Sequence, residues 1–167
     1  MQSFQKWNSL DLLPFLKKGA CFFYDLDFLD THSAYLQSTS QHISKGDFKL
    51  WFACKANPLS FIIDTLSKNQ FHFDVASLGE LSQVMKVGIS GEKILLTGPG
   101  KSEEFLHLAF HHRVGTIVLE SLEQWRKILP LAKETGHYPS VLIRLQLEWA
   151  SYLERPRRSV GPNAVTQ

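Results

Sequence analysis

Apolar and polar residues follow two alternating periods from about residue 49 onward. Short apolar runs with the two-residue period of strands are each followed by stretches in which apolar residues recur every three or four positions, as on one helix face. The predicted strands are KLWFAC (49–54), FHFDVA (71–76), KILLTG (93–98), GTIVLE (115–120) and SVLIRL (140–145). This alternation predicts βαβ units, in which helices cover a parallel sheet.

Capping residues locate the ends of the intervening helices. Pro58 is expected at the first helical position, where its missing N–H removes no hydrogen bond. Pro130 is expected to kink or break the last helix before Gly136 ends it. Three serine caps are expected, two of them in a capping box with Glu or Gln three residues later: Ser77 with Glu80, Ser102, and Ser121 with Gln124.

About five βα units fit into this chain of 167 residues. A complete (β/α)₈ barrel needs roughly 250 residues, so the pattern fits either an open doubly wound sheet or part of a barrel. After Leu145 the periodicity ends, and residues 146–167 are predicted to form a loop.

Composition and charge exclude several classes of protein. Lys and Arg number 18 against 16 Asp and Glu, which leaves no concentrated excess of one sign for binding nucleic acid or a membrane surface. A hydrophobic share of 44% suffices for a packed core. The two cysteines, Cys21 and Cys54, are too few for a disulfide framework. With no apolar run long enough for a signal peptide or membrane span, the sequence predicts a soluble, cytoplasmic protein.

Charged residues interrupt three of the predicted strands near their carboxyl ends. Lys55 is placed on the face of Trp51 and Ala53, while the thiol of Cys54 is turned towards the helices as a core residue. Asp74 and Arg144 occupy comparable positions on the second and fifth strands. Because α/β folds place their active sites at this end of the strands, these groups predict a site.

Two interpretations of these charges stay open on periodicity alone. Lys55 and Asp74 form an ordinary ion pair where the strands reach solvent, or they hold a ligand. A lysine held near an aspartate is also suited to forming a Schiff base with an aldehyde cofactor.

Four segments occur in the order and spacing of one enzyme family: FACKANP (52–58), FDVASLGEL (73–81), TGPGKS (97–102) and LIRL (142–145). They resemble the fold-type III pyridoxal-phosphate-dependent decarboxylases, the group that acts on ornithine, arginine, lysine or diaminopimelate. The similarity runs from about residue 24 to the end of the chain. The joint presence of the first two segments makes it specific.

The resemblance implies a cofactor and a role for each candidate residue. Lys55 carries the internal aldimine of pyridoxal 5'-phosphate, with Asp74 beside it. Arg144 lies close to the cofactor on strand five, and Ser77 and Glu80 support the site. No metal is implied.

The resemblance also implies a longer protein. Residues 1–35 lead into the N-terminal part of a (β/α)₈ alanine-racemase-like barrel, and residues 36–167 form about five of its βα units. Family members run well beyond twice this length, so the later strands and the C-terminal β-domain are absent here. The full-length enzyme is expected to be a homodimer that acts on a small basic or diamino acid, and the truncated chain alone to be inactive.

Two alternatives remain at this stage. Alanine racemases share the barrel and a Lys-Ala-Asn segment, but continue with Tyr-Gly-His-Gly, where Pro58-Leu59-Ser60 stands here. The second alternative is a non-catalytic relic that still binds pyridoxal phosphate.

Two further motifs are expected to be structural only. GPGKS (98–102) has Leu95 where a phosphate-binding loop needs glycine, and Pro99 lacks a backbone N–H. His107 and His111 have the spacing of a two-histidine metal site, but are expected to be solvated surface residues.

Overall fold

The computed structural model describes residues 13–17, 19–43 and 48–145, and shows two helices followed by alternating strands and helices. The helices are α1 (Leu13–Leu16), α2 (Leu26–Ile43), α3 (Ser60–Lys68), α4 (Leu78–Val87), α5 (Glu103–His111) and α6 (Leu122–Thr135). The strands are β1 (Trp51–Ala53), β2 (His72–Val75), β3 (Ile94–Leu96), β4 (Thr116–Leu119) and β5 (Ser140–Ile143). Two 3₁₀ turns, Cys54–Ala56 and Gly91–Lys93, complete the order.

The strands form one sheet in the order β1-β2-β3-β4-β5, with every neighbouring pair parallel. The predicted parallel α/β arrangement is therefore confirmed. Because all strands run the same way, their carboxyl ends meet along one edge of the sheet. We call this the C-terminal edge; it comprises the residues that directly follow the strands (54–57, 76–77, 97–101, 120–121 and 144–145).

Strand alternation separates a buried face from a more open one. The buried face packs against the helices and forms the core, with Phe73, Val75, Ile94, Leu96, Ile117 and Leu119 all under 9% exposed. Burying each such side chain contributes about 1.5–3 kcal/mol relative to exposure. The opposite face carries Asp74, Leu95, Thr116 and Val118, which are only half-buried. We call it the open face, and it corresponds to the predicted barrel interior.

The predicted serine caps are present. The hydroxyl oxygens of Ser77, Ser102 and Ser121 accept hydrogen bonds from the backbone N–H three residues later, each at 3.2 Å. The predicted start of α3 is wrong: the helix begins at Ser60, and Pro58 lies before it. The side chain of Asn57 explains the delay, since its Oδ1 accepts a hydrogen bond from the backbone N–H of Leu59 at 3.3 Å.

Of the predicted kink or break at Pro130, the break is wrong, because α6 continues through Pro130 to Thr135. Pro130 cannot donate to the carbonyl of Arg126, but both positions are exposed, so water can solvate that oxygen. The observed strands are also shorter than predicted, as pairing stops before the apolar runs end. The predicted loop 146–167 lies outside the described residues.

Helix α2 was not predicted and packs beside α3. The amide nitrogen of Asn69 donates to the Asp30 carboxylate at 2.8 Å and to the Ser33 hydroxyl at 2.7 Å. These bonds fix the end of α3 against α2. In the described part of the chain, no helix is both long enough and apolar enough to cross a membrane.

Candidate functional site

Lys55 lies on the 3₁₀ turn that follows β1, and not within the strand as predicted. Register explains the difference, because pairing with β2 ends where Ala53 lies opposite Asp74. Among the described residues, the Lys55 amine has no hydrogen-bond or ion-pair partner, and the residue is exposed. The C-terminal edge therefore presents one free primary amine at β1.

The turn that carries Lys55 is held by residues on both sides of β1. Asn57 is extended, at φ −164° and ψ 100°, as expected for a residue before proline. Its amide nitrogen donates to the Tyr24 hydroxyl at 3.2 Å, and the Tyr24 ring packs edge-on against Phe61 at 5.2 Å between centroids. The motif search gave Tyr24 no role, because its contact to Asn57 spans 33 residues.

Asp74 lies on the open face of β2 and is half-buried. Its Oδ1 accepts a hydrogen bond from the Thr97 hydroxyl at 2.6 Å. No ion pair joins Lys55 to Asp74 in the residues that the structure describes, so the ion-pair interpretation is wrong. Thr97 was missed, although strand alternation could have found it, since it lies two residues beyond Leu95, the partner of Asp74 across the strands.

Ser77 and Glu80 bind each other at the start of α4. The Glu80 carboxylate accepts from the Ala76 backbone N–H at 2.9 Å and from the Ser77 hydroxyl at 3.1 Å. Both residues thus fix the end of β2 to the helix that follows it. This is the predicted capping box, and it explains their placement beside Asp74 without any contact to Lys55.

Arg144 lies at the other end of the C-terminal edge. Its guanidinium is 3.3 Å from the Glu120 carboxylate, and its backbone N–H donates to Leu119 at 2.8 Å. Strands β1 and β5 are four spacings apart, a path of about 19 Å along the sheet at about 4.8 Å per spacing. The structure therefore places Lys55 on the turn after β1 and Asp74 on the neighbouring strand β2, with Arg144 further along the same edge. Glu120, its partner, was missed.

Cys54 adjoins Lys55 in sequence but is fully buried, as predicted. Burial, with further contributions from the Glu80 and Asp74 carboxylates, raises the pKa of its thiol to about 12. A thiol with so high a pKa carries almost no thiolate near neutral pH, so Cys54 is a core residue and not a nucleophile.

The structure locates the two motifs that were expected to be structural only, the histidine pair and the GPGKS segment. His107 and His111 are exposed, and no group of three or more His, Cys, Asp or Glu side chains among the described residues could hold a metal ion. Lys101 of the GPGKS segment is buried, and its amine donates to the carbonyl oxygen of Gly98 within the same loop.

The donor set at this edge fits an aldehyde cofactor. Schiff-base chemistry needs a primary amine that no acceptor already holds, and Lys55 provides one. The neighbouring strand supplies a half-buried carboxylate, Asp74, that is not engaged by a cation among the described residues. These two observations make β1 and β2 the part of the edge where a cofactor could be held.

Comparison with known proteins supports this assignment. A family model described as "pyridoxal-dependent decarboxylase, pyridoxal binding domain" matches residues 31–158. Diaminopimelate decarboxylase from Zymomonas mobilis is 27% identical over 125 residues, covering 75% of this chain and 30% of that protein. The Bacillus subtilis enzyme of the same name is 35% identical over 94 residues, covering 56% of this chain and 21% of that protein.

A solved structure shows the same similarity. The crystal structure of Helicobacter pylori diaminopimelate decarboxylase complexed with L-lysine matches with a TM-score of 0.65 and 26% identity, over 80% of this chain and 34% of that one. The chain thus spans about a third or less of the relatives described here. The predicted fold, the N-terminal part of a barrel of this kind, is confirmed, and so is the predicted cofactor, since the family is pyridoxal-dependent. The chain belongs to the pyridoxal-dependent decarboxylases, and its residues 31–158 match the pyridoxal-binding domain of that family.

Proposed function

We propose that this chain supplies the cofactor-binding lysine, Lys55, to an enzyme that decarboxylates a small diamino acid such as diaminopimelate, ornithine or lysine. The observation that carries the proposal is the exposed amine of Lys55, which has no partner among the described residues and lies at the C-terminal edge of a domain whose family is pyridoxal-dependent. The named relatives, which are diaminopimelate decarboxylases, support the substrate class.

Each residue at the edge has a distinct part in the proposal. Lys55 would hold the cofactor through its amine. Pyridoxal phosphate, when bound, supplies an electron sink for the bond that releases CO₂. Asp74 sets the negative charge beside Lys55, and its own position depends on the Thr97 hydroxyl.

Arg144 acts at the far end of the edge, where its pairing with Glu120 leaves it exposed to a bound anionic group. Ser77 and Glu80 act indirectly, because their hydrogen bonds hold the end of β2 that carries Asp74. The remaining groups that enclose the cofactor come from the rest of the barrel and from a second protomer, since this chain spans about a third of its relatives.

Borohydride reduction in the presence of pyridoxal phosphate, followed by peptide mapping, tests the assignment of Lys55. We expect the label in the peptide that contains Lys55, and its loss in Lys55→Met. Lys86→Met, which removes another exposed lysine, is the control and should leave the label unchanged. A label on Lys101, or a label retained in Lys55→Met, would refute the assignment.

Carboxyl-labelled diamino acids test the reaction. A longer protein that contains this domain should release labelled CO₂ from at least one of them. Inversion at the α-carbon without CO₂ release would identify a racemase instead, and trapping of the cofactor with neither reaction would identify a non-catalytic binding protein. For the 167-residue chain alone, we expect label on Lys55 and no CO₂ release.

A further inference from the structure

Lys101 is buried at the C-terminal edge, in the loop between β3 and α5. Only 4% of its surface is exposed, and a buried ammonium group is costly unless acceptors surround it. Two acceptors do so: the carbonyl oxygen of Gly98 and Oε1 of Gln124, the latter at 3.2 Å. Lys101 thus connects its own loop to the first turn of α6.

Gln124 is buried as well, and its side-chain amide forms four hydrogen bonds. Its Oε1 accepts from Lys101 and from the backbone N–H of Glu120 at 3.0 Å. Its amide nitrogen donates to the carbonyl oxygens of Pro99 at 3.0 Å and Gly98 at 3.4 Å. Donors and acceptors are both needed here, so a glutamate at this position could make only part of the network.

The other capping box of the sheet shows that this network exceeds what capping requires. Within the part of the chain that the structure describes, the Glu80 carboxylate bonds only to Ala76 and Ser77, which lie in its own β2–α4 connection. Gln124 shares the capping geometry, since its backbone N–H donates to Ser121 at 3.2 Å, but its side chain also reaches the preceding loop 97–101. The additional bonds therefore fix two loops of the edge to each other.

Both ends of the network lead to residues of the proposed site. Thr97, which hydrogen-bonds to Asp74, directly precedes Gly98. Glu120, which pairs with Arg144, is held at its backbone N–H by Gln124. Resting on the proposed function, we infer that Lys101 and Gln124 are positioning residues: they form a buried polar latch that sets Thr97 and Glu120, and through them Asp74 and Arg144, at the cofactor site.

The groups around Lys101 affect how easily it carries its positive charge. Burial lowers the pKa of the Lys101 ammonium, and the nearby Glu120 carboxylate opposes this by raising it. Removing the ammonium group should therefore disturb Gln124 and Glu120 together, which is the behaviour expected of one connected unit.

Lys101→Met removes the charge and keeps most of the length of the side chain. Gln124→Glu removes the two donated bonds and adds a negative charge beside the Lys101 ammonium, which can still donate to it. We measure amide hydrogen exchange and the affinity for pyridoxal phosphate in each. Lys101→Met should speed exchange at Glu120 by about tenfold or more, and should weaken the affinity about tenfold, equivalent to about 1.4 kcal/mol. Gln124→Glu should change both in the same direction by a smaller factor. The Ala76 amide, held by Glu80, is the internal control and should not change.

Ile128→Val is the matched control, because it weakens the core on the same helix without touching the network. Its exchange at Glu120 and its affinity should stay near wild type once corrected for the folded fraction. Unchanged exchange at Glu120 in both latch variants overturns the inference. Faster exchange with unchanged affinity overturns the positioning role. If the wild type takes no label at Lys55, the proposed function fails, and the positioning role fails with it. In that case, faster exchange at Glu120 in the latch variants would still establish the latch as a structural connection.

Discussion

The hydrogen bond between Asp74 and Thr97 allows the charge of Asp74 to be tested separately from its packing. Asp74→Asn keeps the size of the side chain and an acceptor for the Thr97 hydroxyl, and removes only the negative charge. The 2.6 Å separation is typical of an O–H···O⁻ bond. A hydrogen bond to a charged group contributes about 1.5–3 kcal/mol and a neutral one about 0.5–1.5, so the substitution should lower the free energy of unfolding by about 1 kcal/mol.

A loss of that size is small enough to separate stability from site chemistry. For a chain of this length it corresponds to a fall of roughly 2–4 °C in Tm. The folded fraction at 25 °C would stay close to one for a domain of ordinary stability, about 5–15 kcal/mol. Any large change in cofactor capture must then come from the missing negative charge on β2, the strand next to the turn that carries Lys55.

The assay compares Asp74→Asn with Thr97→Val. Thr97→Val removes the hydroxyl donor but keeps the carboxylate, so it should cost at least as much stability, because a half-buried charge loses its partner. We expect Asp74→Asn to reduce borohydride-trapped label on Lys55 more strongly than Thr97→Val does, per folded molecule. If both variants lose stability and both keep the wild-type label, Asp74 is a structural residue and the reasoning from its charge is wrong.

Three further predictions concern other parts of the domain. Iodoacetamide near neutral pH should alkylate the exposed Cys21 and leave the buried Cys54, whose pKa is raised to about 12, unmodified until the protein unfolds. Burial and then two nearby lysines lower the pKa of His72 from 6.5, so the unfolded chain binds more protons than the folded chain over the pH range from 6.5 down to the lowered pKa. Urea unfolding should show stability falling over that range, and less so in His72→Asn. Gly91→Ala should destabilise by more than about 3 kcal/mol, since its Cβ would lie 2.1 Å from a carbonyl oxygen. Gly79→Ala, in an open helical position, should be neutral or stabilising in the same measurement.

The order of strands and helices could be predicted because burial imposes it directly on the sequence. Phe73 and Val75 are buried on β2 while Asp74 between them is not, and this alternation is visible without coordinates. Strand ends were predicted less well, since they depend on where pairing with the neighbour stops. For this reason Lys55 was placed on the strand, whereas it lies on the turn that follows.

The candidate site could be predicted only where a motif carried the chemistry. Lys55 and Asp74 belong to such motifs. Thr97 stands in the TGPGKS segment, but that segment gives it no role of its own, and Glu120 lies in none of the four segments. The importance of both residues comes from partners more than 20 residues away. Gln124 was predicted as part of a capping box, but its bonds to the preceding loop depend on how closely two loops approach, which no local pattern records.

Two lysines at the same edge differ in how their amines are held, and this difference is the physical basis for proposing Lys55 as the reactive one. Lys101 is buried and its amine is held by Gly98 and Gln124, so reaction with an aldehyde would have to break both bonds. Lys55 is exposed, and its amine donates no hydrogen bond to any of the described residues, so none would have to be broken. Binding of an aldehyde at Lys55 would therefore break no hydrogen bond of its amine among the described residues, whereas binding at Lys101 would break two bonds of the network that joins the loop after β3 to Gln124. The bonds that hold the Lys101 amine thus also connect two loops of the edge that carries Lys55.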